Sequence, residues 1–122
     1  MTIFDSVGGE PTFEQLVNTF YNGVEQDPIL RRLYPEDLAG PRRHLKLFLI
    51  QYFGGPTTYS DERGHPALRM RHQPFTIGQP ERDAWLSHMS AAIDELDLPE
   101  LAKIQFRKYF EDASTFLINQ PG

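Results

Sequence analysis

The sequence predicts an all-α fold, with four principal helices over residues 12–26, 41–53, 80–97 and 99–118. Apolar residues recur at spacings of three and four within these segments, which is the period of one buried helix face. No segment shows the strict alternation of polar and apolar residues that is typical of a strand. A length of 122 residues suffices for one hydrophobic core, so we expect a single domain over residues 1–122.

The first principal helix is expected to follow a short irregular segment. Within residues 1–11 a glycine pair and Pro11 should interrupt any helix. Thr12 then heads a capping-box pattern with Gln15, which indicates a helix start. The apolar face that follows consists of Phe13, Leu16, Val17, Phe20 and Val24, with Tyr21 at its border.

Proline and glycine mark the ends of the second helix. Pro28 opens a short turn after the first helix, and Pro41 takes the first position of the next one, where the missing N–H costs little. The apolar stripe of this helix stops at Gly54-Gly55-Pro56, which predicts a glycine C-cap followed by a helix breaker. Its apolar residues are Leu45, Phe48, Leu49 and Tyr52.

An insert of about 25 residues with little regular structure separates the second and third helices, which is uncommon unless the insert is functional or held by a ligand. We expect a loop over residues 57–65, a short helix over Pro66–His72 and a second loop over Gln73–Gln79. Pro80 then opens the third principal helix and Pro99 the fourth. Asn119, Pro121 and Gly122 close the chain.

Charge singles out this insert. Arg63, Arg69 and Arg71 give the segment from Arg63 to Pro80 a formal charge of +3, whereas the whole chain carries −5. A basic segment in an acidic protein suggests an anionic partner. His72 falls at the C-terminal end of the short helix, where it is a candidate iron ligand. On these features alone a loop residue or helix cap is the commoner role for such a histidine.

Composition excludes several classes of function. The chain has no cysteine, which excludes disulfides, thiolate catalysis and iron–sulfur clusters, so any metal must be bound through nitrogen or oxygen. The excess of acidic residues argues against nucleic acid as the main partner. The sequence shows no signal peptide and no apolar run of bilayer length. We therefore expect a cytoplasmic protein.

Several motifs together resemble the second group of truncated haemoglobins, the oxygen-binding bacterial type. The most specific are Gln51-Tyr52-Phe53-Gly54-Gly55-Pro56 and the run from Gly64-His65-Pro66 to His72, and the likeness extends over nearly the whole chain. The others are Phe20-Tyr21, Leu33-Tyr34-Pro35-Glu36, Tyr59-Ser60 and Arg82-Asp83-Ala84-Trp85-Leu86. The resemblance implies a truncated globin fold, a two-over-two helical sandwich around haem b (iron protoporphyrin IX), with His72 as proximal iron ligand.

The resemblance also places Tyr21, Tyr34 and Trp85 on the opposite, distal face of the iron, with Leu45 as an apolar neighbour. Such a site would bind dioxygen, carbon monoxide and nitric oxide. Each hydrogen bond to a partly negative ligand is worth about 1.5–3 kcal/mol, or roughly one to two decades in ligand release. Three donors therefore suggest slow release, which suits oxygen chemistry or sensing better than delivery. Bonds from the tyrosines to backbone carbonyls, with Trp85 as core, are the structural alternative.

A haem site also needs an apolar wall and cations at its rim. Candidates for the wall are Phe48, Leu49, Leu68, Met70, Phe75, Ile77 and Met89, although each could equally be ordinary core. Candidates for propionate contacts are Arg69, Arg71, Tyr59 and His44, although the arginines and His44 could simply be solvated. His88 is expected to be structural. Two departures from the family pattern are Pro41, which could alter the ligand entrance, and Phe53, which should affect only packing.

Other functions remain open at this stage. The same scaffold could serve as a haem enzyme that dioxygenates nitric oxide or reduces peroxide, supplied with electrons by an unidentified reductase. A cofactor-free helical domain could use the Arg63–Arg71 cluster to bind an acidic partner. A mononuclear metal site formed by His44, His65, His72 and His88 fits the usual ligand spacings least well. The chain could be a monomer or a homo-oligomer.

Overall fold

The computed structural model describes residues 1–120, which contain eight helices and no strand. The helices are α1 (Ile3–Ser6), α2 (Glu10–Glu25), α3 (Pro28–Arg31), α4 (Ala39–Tyr52), α5 (Thr58–Arg63), α6 (Leu68–His72), α7 (Gln79–Asp94) and α8 (Glu100–Phe116). The predicted fold class and the four principal helices are confirmed, with boundaries shifted by up to three residues. Pro121 and Gly122, expected to close the chain, lie outside the described residues.

Two helix pairs form the body of the molecule. α2 packs against α4, α7 packs against α8, and α2 and α7 contact one another across the two pairs. Aromatic side chains dominate the core between them, and the largest fully buried ones are Phe13, Phe20, Phe106 and Phe110. Burying such side chains stabilises the fold most, because apolar area removed from water is the main favourable term.

The start of the chain differs from the prediction. Residues 3–6 form α1, which a capping box between Thr2 and Asp5 stabilises. Pro11 does not interrupt a helix, because it lies in the first turn of α2, where its missing N–H has no partner to lose. The capping box predicted at Thr12 is wrong: Thr12 lies inside α2, and its hydroxyl donates to the Val7 carbonyl at 2.5 Å.

The glycine C-cap predicted for the second principal helix is confirmed. Gly54 has φ +102°, the Gly54 N–H donates to the Gln51 carbonyl and the Gly55 N–H donates to the Ile50 carbonyl. This is the Schellman arrangement. A Cβ on Gly54 would lie 2.5 Å from the Thr2 Cβ, so both conformation and space require glycine.

The loop predicted over residues 57–65 is wrong for most of its length, because Thr58–Arg63 form α5. A tertiary interaction fixes this helix: the Gln51 side chain accepts the Ser60 N–H at 3.0 Å and donates to the Ser60 hydroxyl at 2.8 Å. Tyr59 is buried beside it. Six residues with one buried side chain carry too little periodicity to be recognised in sequence.

Candidate functional site

A cavity of about 350 Å³ lies between α4 and α7, and every principal helix contributes to its lining. Most of the predicted site residues line it: Tyr21, Tyr34, His44, Leu45, Phe48, Leu49, Tyr59, Leu68, Arg71, His72, Phe75, Ile77 and Trp85. The volume falls within the range of roughly 300–1,000 Å³ that is typical of small-molecule sites. One space therefore joins the basic insert to the aromatic residues of the core.

His72 stands at the end of α6, on one side of this cavity. Its Nδ1 lies 2.6 Å from the Leu68 carbonyl oxygen. A carbonyl can only accept, so Nδ1 carries the proton, and in the neutral ring Nε2 keeps its lone pair. A backbone acceptor on one ring nitrogen is the usual arrangement that orients a histidine for metal binding through the other.

Asn119 holds the chain that follows His72, a role that sequence analysis missed. Its Nδ2 donates to the carbonyls of His72 at 3.3 Å and Phe75 at 2.8 Å, and its Oδ1 accepts the Ile77 N–H at 2.9 Å. These bonds fasten the loop between α6 and α7 to the end of the chain. A lone asparagine near a terminus gives no sequence signal for such a role.

The segment before α6 is held by Arg71. Its Nε donates to the Pro66 carbonyl at 2.7 Å, and its terminal nitrogen donates to the carbonyls of Arg63 at 2.8 Å and His65 at 3.2 Å. Ala67, in the middle of this segment, takes the left-handed conformation with φ 42° and ψ 51°, and the helix begins after it rather than at Pro66. Arg71 therefore stabilises a locally strained entry into α6.

Cations and polar groups cluster at the cavity mouth. The guanidinium groups of Arg63 and Arg71 each lie 5.9 Å from the centre of the Tyr59 ring, and Arg63 contacts the His44 imidazole at 2.8 Å. Partial burial, followed by the nearby Arg63 charge, lowers the pKa of His44, so its ring is neutral near pH 7 and accepts from Arg63. Arg63 was part of the predicted basic segment but not a predicted site residue.

Tyr21, Tyr34 and Trp85 form a separate group in the cavity lining. The rings of Tyr21 and Tyr34 pack edge to face with centroids 5.5 Å apart. Burial raises the pKa of Tyr34 to about 12, while hydrogen bonds with the Trp85 and Tyr21 side chains oppose the rise. Burial, followed by the proximity of Tyr34, raises the pKa of Tyr21. Both phenols therefore keep their protons at neutral pH and remain hydrogen-bond donors.

Three residues predicted for the wall and rim do not line the cavity: Arg69, Met70 and Met89. On α6 the cavity is lined by Leu68, Arg71 and His72, which follow helical spacing. Arg69 and Met70, which lie between them in the chain, therefore face outward. Arg69 lies over the Phe116 ring at 5.2 Å, and Met70 is 67% exposed. Met89 is fully buried in the helical core, away from the cavity lining.

Other lining residues escaped the sequence analysis because they are ordinary core residues or polar residues at helix starts. They are Leu30, Leu33, Pro35, Glu81, Arg82, Tyr109, Phe110, Ala113, Ser114 and Leu117. Pro41, singled out as a departure from the family pattern, also lines the cavity.

A site made of several histidines does not form. Within residues 1–120 no group of three or more histidine or acidic side chains is placed to hold a metal ion, so the grouping of His44, His65, His72 and His88 is wrong. The chemistry of the cavity does fit haem: one free imidazole nitrogen, an apolar wall and cations at the rim. In the same part of the chain no helix is both long and apolar enough to cross a membrane.

Known globins resemble this chain in both sequence and structure. The sequence model of the family described as bacterial-like globin matches residues 2–118. The group 2 truncated haemoglobin YjbI of Bacillus subtilis is 43% identical over 113 residues, covering 92% of this chain and 85% of that protein. The crystal structure of a thermostable haemoglobin from Thermobifida fusca superposes with a TM-score of 0.98, at 51% identity and with all of both chains covered. A haemoglobin from Chloroflexus aurantiacus gives 0.96 at 53% identity, covering 98% of this chain and 99% of that one.

Proposed function

The chain belongs to the bacterial-like globins, in the second group of truncated haemoglobins, and on this premise we propose that it is a haem b protein that binds dioxygen, carbon monoxide and nitric oxide. One observation carries the proposal. A single cavity is lined both by an imidazole, His72, whose Nδ1 bonds a backbone carbonyl, and by three hydrogen-bond donors, Tyr21, Tyr34 and Trp85. Haem, when bound, supplies the iron at which such a ligand is held.

His72 is the proposed iron ligand. The bond from Nδ1 to the Leu68 carbonyl fixes the plane of the ring and leaves Nε2 as the ligating atom. Its position at the end of a short helix limits its movement, because α6 is held before His72 by Arg71 and after it by Asn119. The chain therefore presents one nitrogen ligand in a defined orientation.

The three distal donors orient and retain the diatomic ligand. A ligand with partial negative charge accepts hydrogen bonds strongly, and neutral Tyr and Trp donate them without adding charge to an apolar cavity. Tyr34 packs edge to face on Tyr21, and Trp85 lines the same cavity. Leu45 keeps one side of the ligand space apolar. This arrangement favours slow ligand release.

The mouth of the cavity would receive the two propionates. Arg63, Arg71, Tyr59 and His44 supply positive charge and hydrogen-bond donors there, although the polar atoms of Arg71 already hold backbone carbonyls. A cation whose neighbours are carbonyls keeps its net charge, so Arg71 still attracts an anion. Phe48, Leu49, Leu68, Phe75 and Ile77 would form the apolar wall.

The second candidate function is an enzyme that uses the same site. One observation favours nitric oxide dioxygenation over peroxide reduction. The acceptor for His72 Nδ1 is a backbone carbonyl, not a carboxylate, so the ring gains little anionic character and peroxide cleavage is poorly assisted. Nitric oxide dioxygenation, which needs long retention of dioxygen and a reductase to restore ferrous iron, is the better enzyme candidate. Steady-state turnover of nitric oxide with a reductant tests it, and the absence of turnover removes it.

The proposed function is tested by absorption spectra of the ferric, ferrous and ferrous carbon-monoxide forms. Wild type should show a strong Soret band and a histidine-type carbon-monoxide complex, and His72→Gly should lose or alter both. His65→Asn is the control, because His65 is exposed, does not line the cavity, and an asparagine oxygen can keep the bond that its side chain accepts from the Ala67 N–H. A folded wild type that binds no stoichiometric haem would contradict the proposal and favour the interaction-domain alternative.

A further inference from the structure

His88 contacts two of the elements that carry the distal donors and lies on the third. It sits on α7, one helical turn after Trp85. Its Nε2 lies 2.7 Å from Asp27 Oδ2, in a part-buried pair whose side chains are 28% and 18% exposed. On another side its ring packs against α2 at Gly23, two residues after Tyr21.

Asp27 is connected by hydrogen bonds to the turn that contains Tyr34. Its other carboxylate oxygen caps α3 by accepting the Ile29 N–H at 2.9 Å, and its carbonyl accepts the Arg31 N–H at 2.7 Å. Arg31 then donates to the carbonyls of Tyr34 at 3.3 Å and Pro35 at 2.9 Å. The His88 bond is also the first cause of the lowered pKa of Asp27, so the carboxylate is the form bound.

Gly23 shows how closely the ring is fitted. A Cβ at this position would lie 2.4 Å from His88 Nδ1, and the backbone of Gly23 is ordinary helix. Glycine within a helix costs about 1 kcal/mol relative to alanine. The close approach of the imidazole explains why position 23 is a glycine.

We propose that His88 is a positioning residue for the distal ligand site. Because it is bonded to Asp27 and packed on Gly23, it fixes the positions of Trp85, Tyr21 and Tyr34 relative to one another. This role rests on the proposed function, because these relative positions matter only if a ligand is held there. His88 does not line the cavity, so its role is indirect. Its loss acts through the three donors, so their hydrogen bonds to the ligand weaken without a change in their chemistry.

The test compares His88→Leu, which removes the bond to Asp27, with His88→Gln, whose amide nitrogen can replace Nε2. Lys108→Gln, at an exposed ion pair on α8, is the control. The readouts are the dioxygen release rate, the C–O stretching frequency of the carbon-monoxide form and hydrogen exchange of the amides of residues 28–36 in the purified protein. In His88→Leu we expect release to be about three- to tenfold faster, a higher C–O frequency and faster exchange. In His88→Gln all three should stay close to wild type.

Gly23→Ala provides an independent variant with His88 intact. The added methyl group displaces the ring from Asp27, while alanine favours the helix, so this variant keeps the proposal testable if His88→Leu does not fold. We expect changes in the same direction as in His88→Leu. Unchanged release and C–O frequency in folded Gly23→Ala, or equal impairment in His88→Leu and His88→Gln, would overturn the proposal. A wild type without haem would overturn the proposed function and this role with it, whereas normal wild-type spectra with unaffected variants would overturn this role alone.

Discussion

The two sides of the cavity are built from different interactions. On the distal side, Tyr21 and Trp85 come from 16-residue helices that pack on one another, and aromatic rings hold the donors in place. On the proximal side, His72 comes from a helix of five residues with no buried residue of its own. Side chain to backbone hydrogen bonds from Arg71 and Asn119 hold it instead. Core packing thus fixes one side and a few polar contacts fix the other, so substitutions on the two sides should affect different measurements.

The largest expected effect is on the distal side. Trp85→Phe and Tyr34→Phe each remove one donor while keeping an aromatic ring, so dioxygen release should accelerate by about ten- to hundredfold, with haem retention unchanged. Stopped-flow measurement of release checks this. Tyr52→Phe, at an exposed tyrosine outside the cavity lining, is the control. Unchanged release in both variants would defeat the distal hydrogen-bonding site.

On the proximal side we expect a smaller effect, on stability and haem retention rather than on dioxygen release. Asn119→Ala removes three hydrogen bonds from the loop after His72, which should lower the free energy of unfolding by about 1–3 kcal/mol. Haem transfer to an apoprotein acceptor should be several-fold faster, because His72, the proposed iron ligand, is less well held. Dioxygen release should change little. Gln105→Ala, at an exposed position of α8 outside this cavity's lining, is the control. If Asn119→Ala released dioxygen as fast as Trp85→Phe, the proposed difference between the two sides would be lost.

The smallest effect concerns pH at the cavity mouth. The pKa of His44 in the folded protein lies below its ordinary value of 6.5, so the folded state binds fewer protons than the unfolded state. This contribution to stability is present above pH 6.5 and is lost as the pH falls through the folded-state pKa. The thermal midpoint of wild type should therefore drop more between pH 7 and pH 5 than that of His44→Gln. Equal drops would mean that His44 titrates as freely as in an unfolded chain.

The sequence predicts the distal side better than the proximal one, for a physical reason. Long amphipathic helices repeat their pattern over several turns, so α2, α4, α7 and α8 are recognisable, and Tyr21 and Trp85 are placed with them. In the insert, α5 depends on contacts between Gln51 and Ser60, which no local pattern contains.

The predicted site residues that lie away from the cavity have the same explanation. Arg69 and Arg71 are equally good candidates for a rim cation by composition, and only the start of α6 at Leu68 decides which one faces the cavity. The αL conformation of Ala67 delays that start, and the sequence shows no glycine there to indicate it. His88, expected to be merely structural, owes its position to Asp27, sixty-one residues away in the chain. Pairings over such distances lie outside what periodicity can predict.

Trp85 is the only tryptophan of the chain, and it lies in the cavity wall. The protein therefore contains a single indole fluorophore, which can be excited apart from the five tyrosines, at the place where its cofactor and ligand would meet. Emission excited at the indole band reports on this cavity alone, and a porphyrin bound beside it would quench that emission by energy transfer. Cofactor uptake can thus be titrated without a label, and the emission maximum of the cofactor-free protein measures how dry the distal side is.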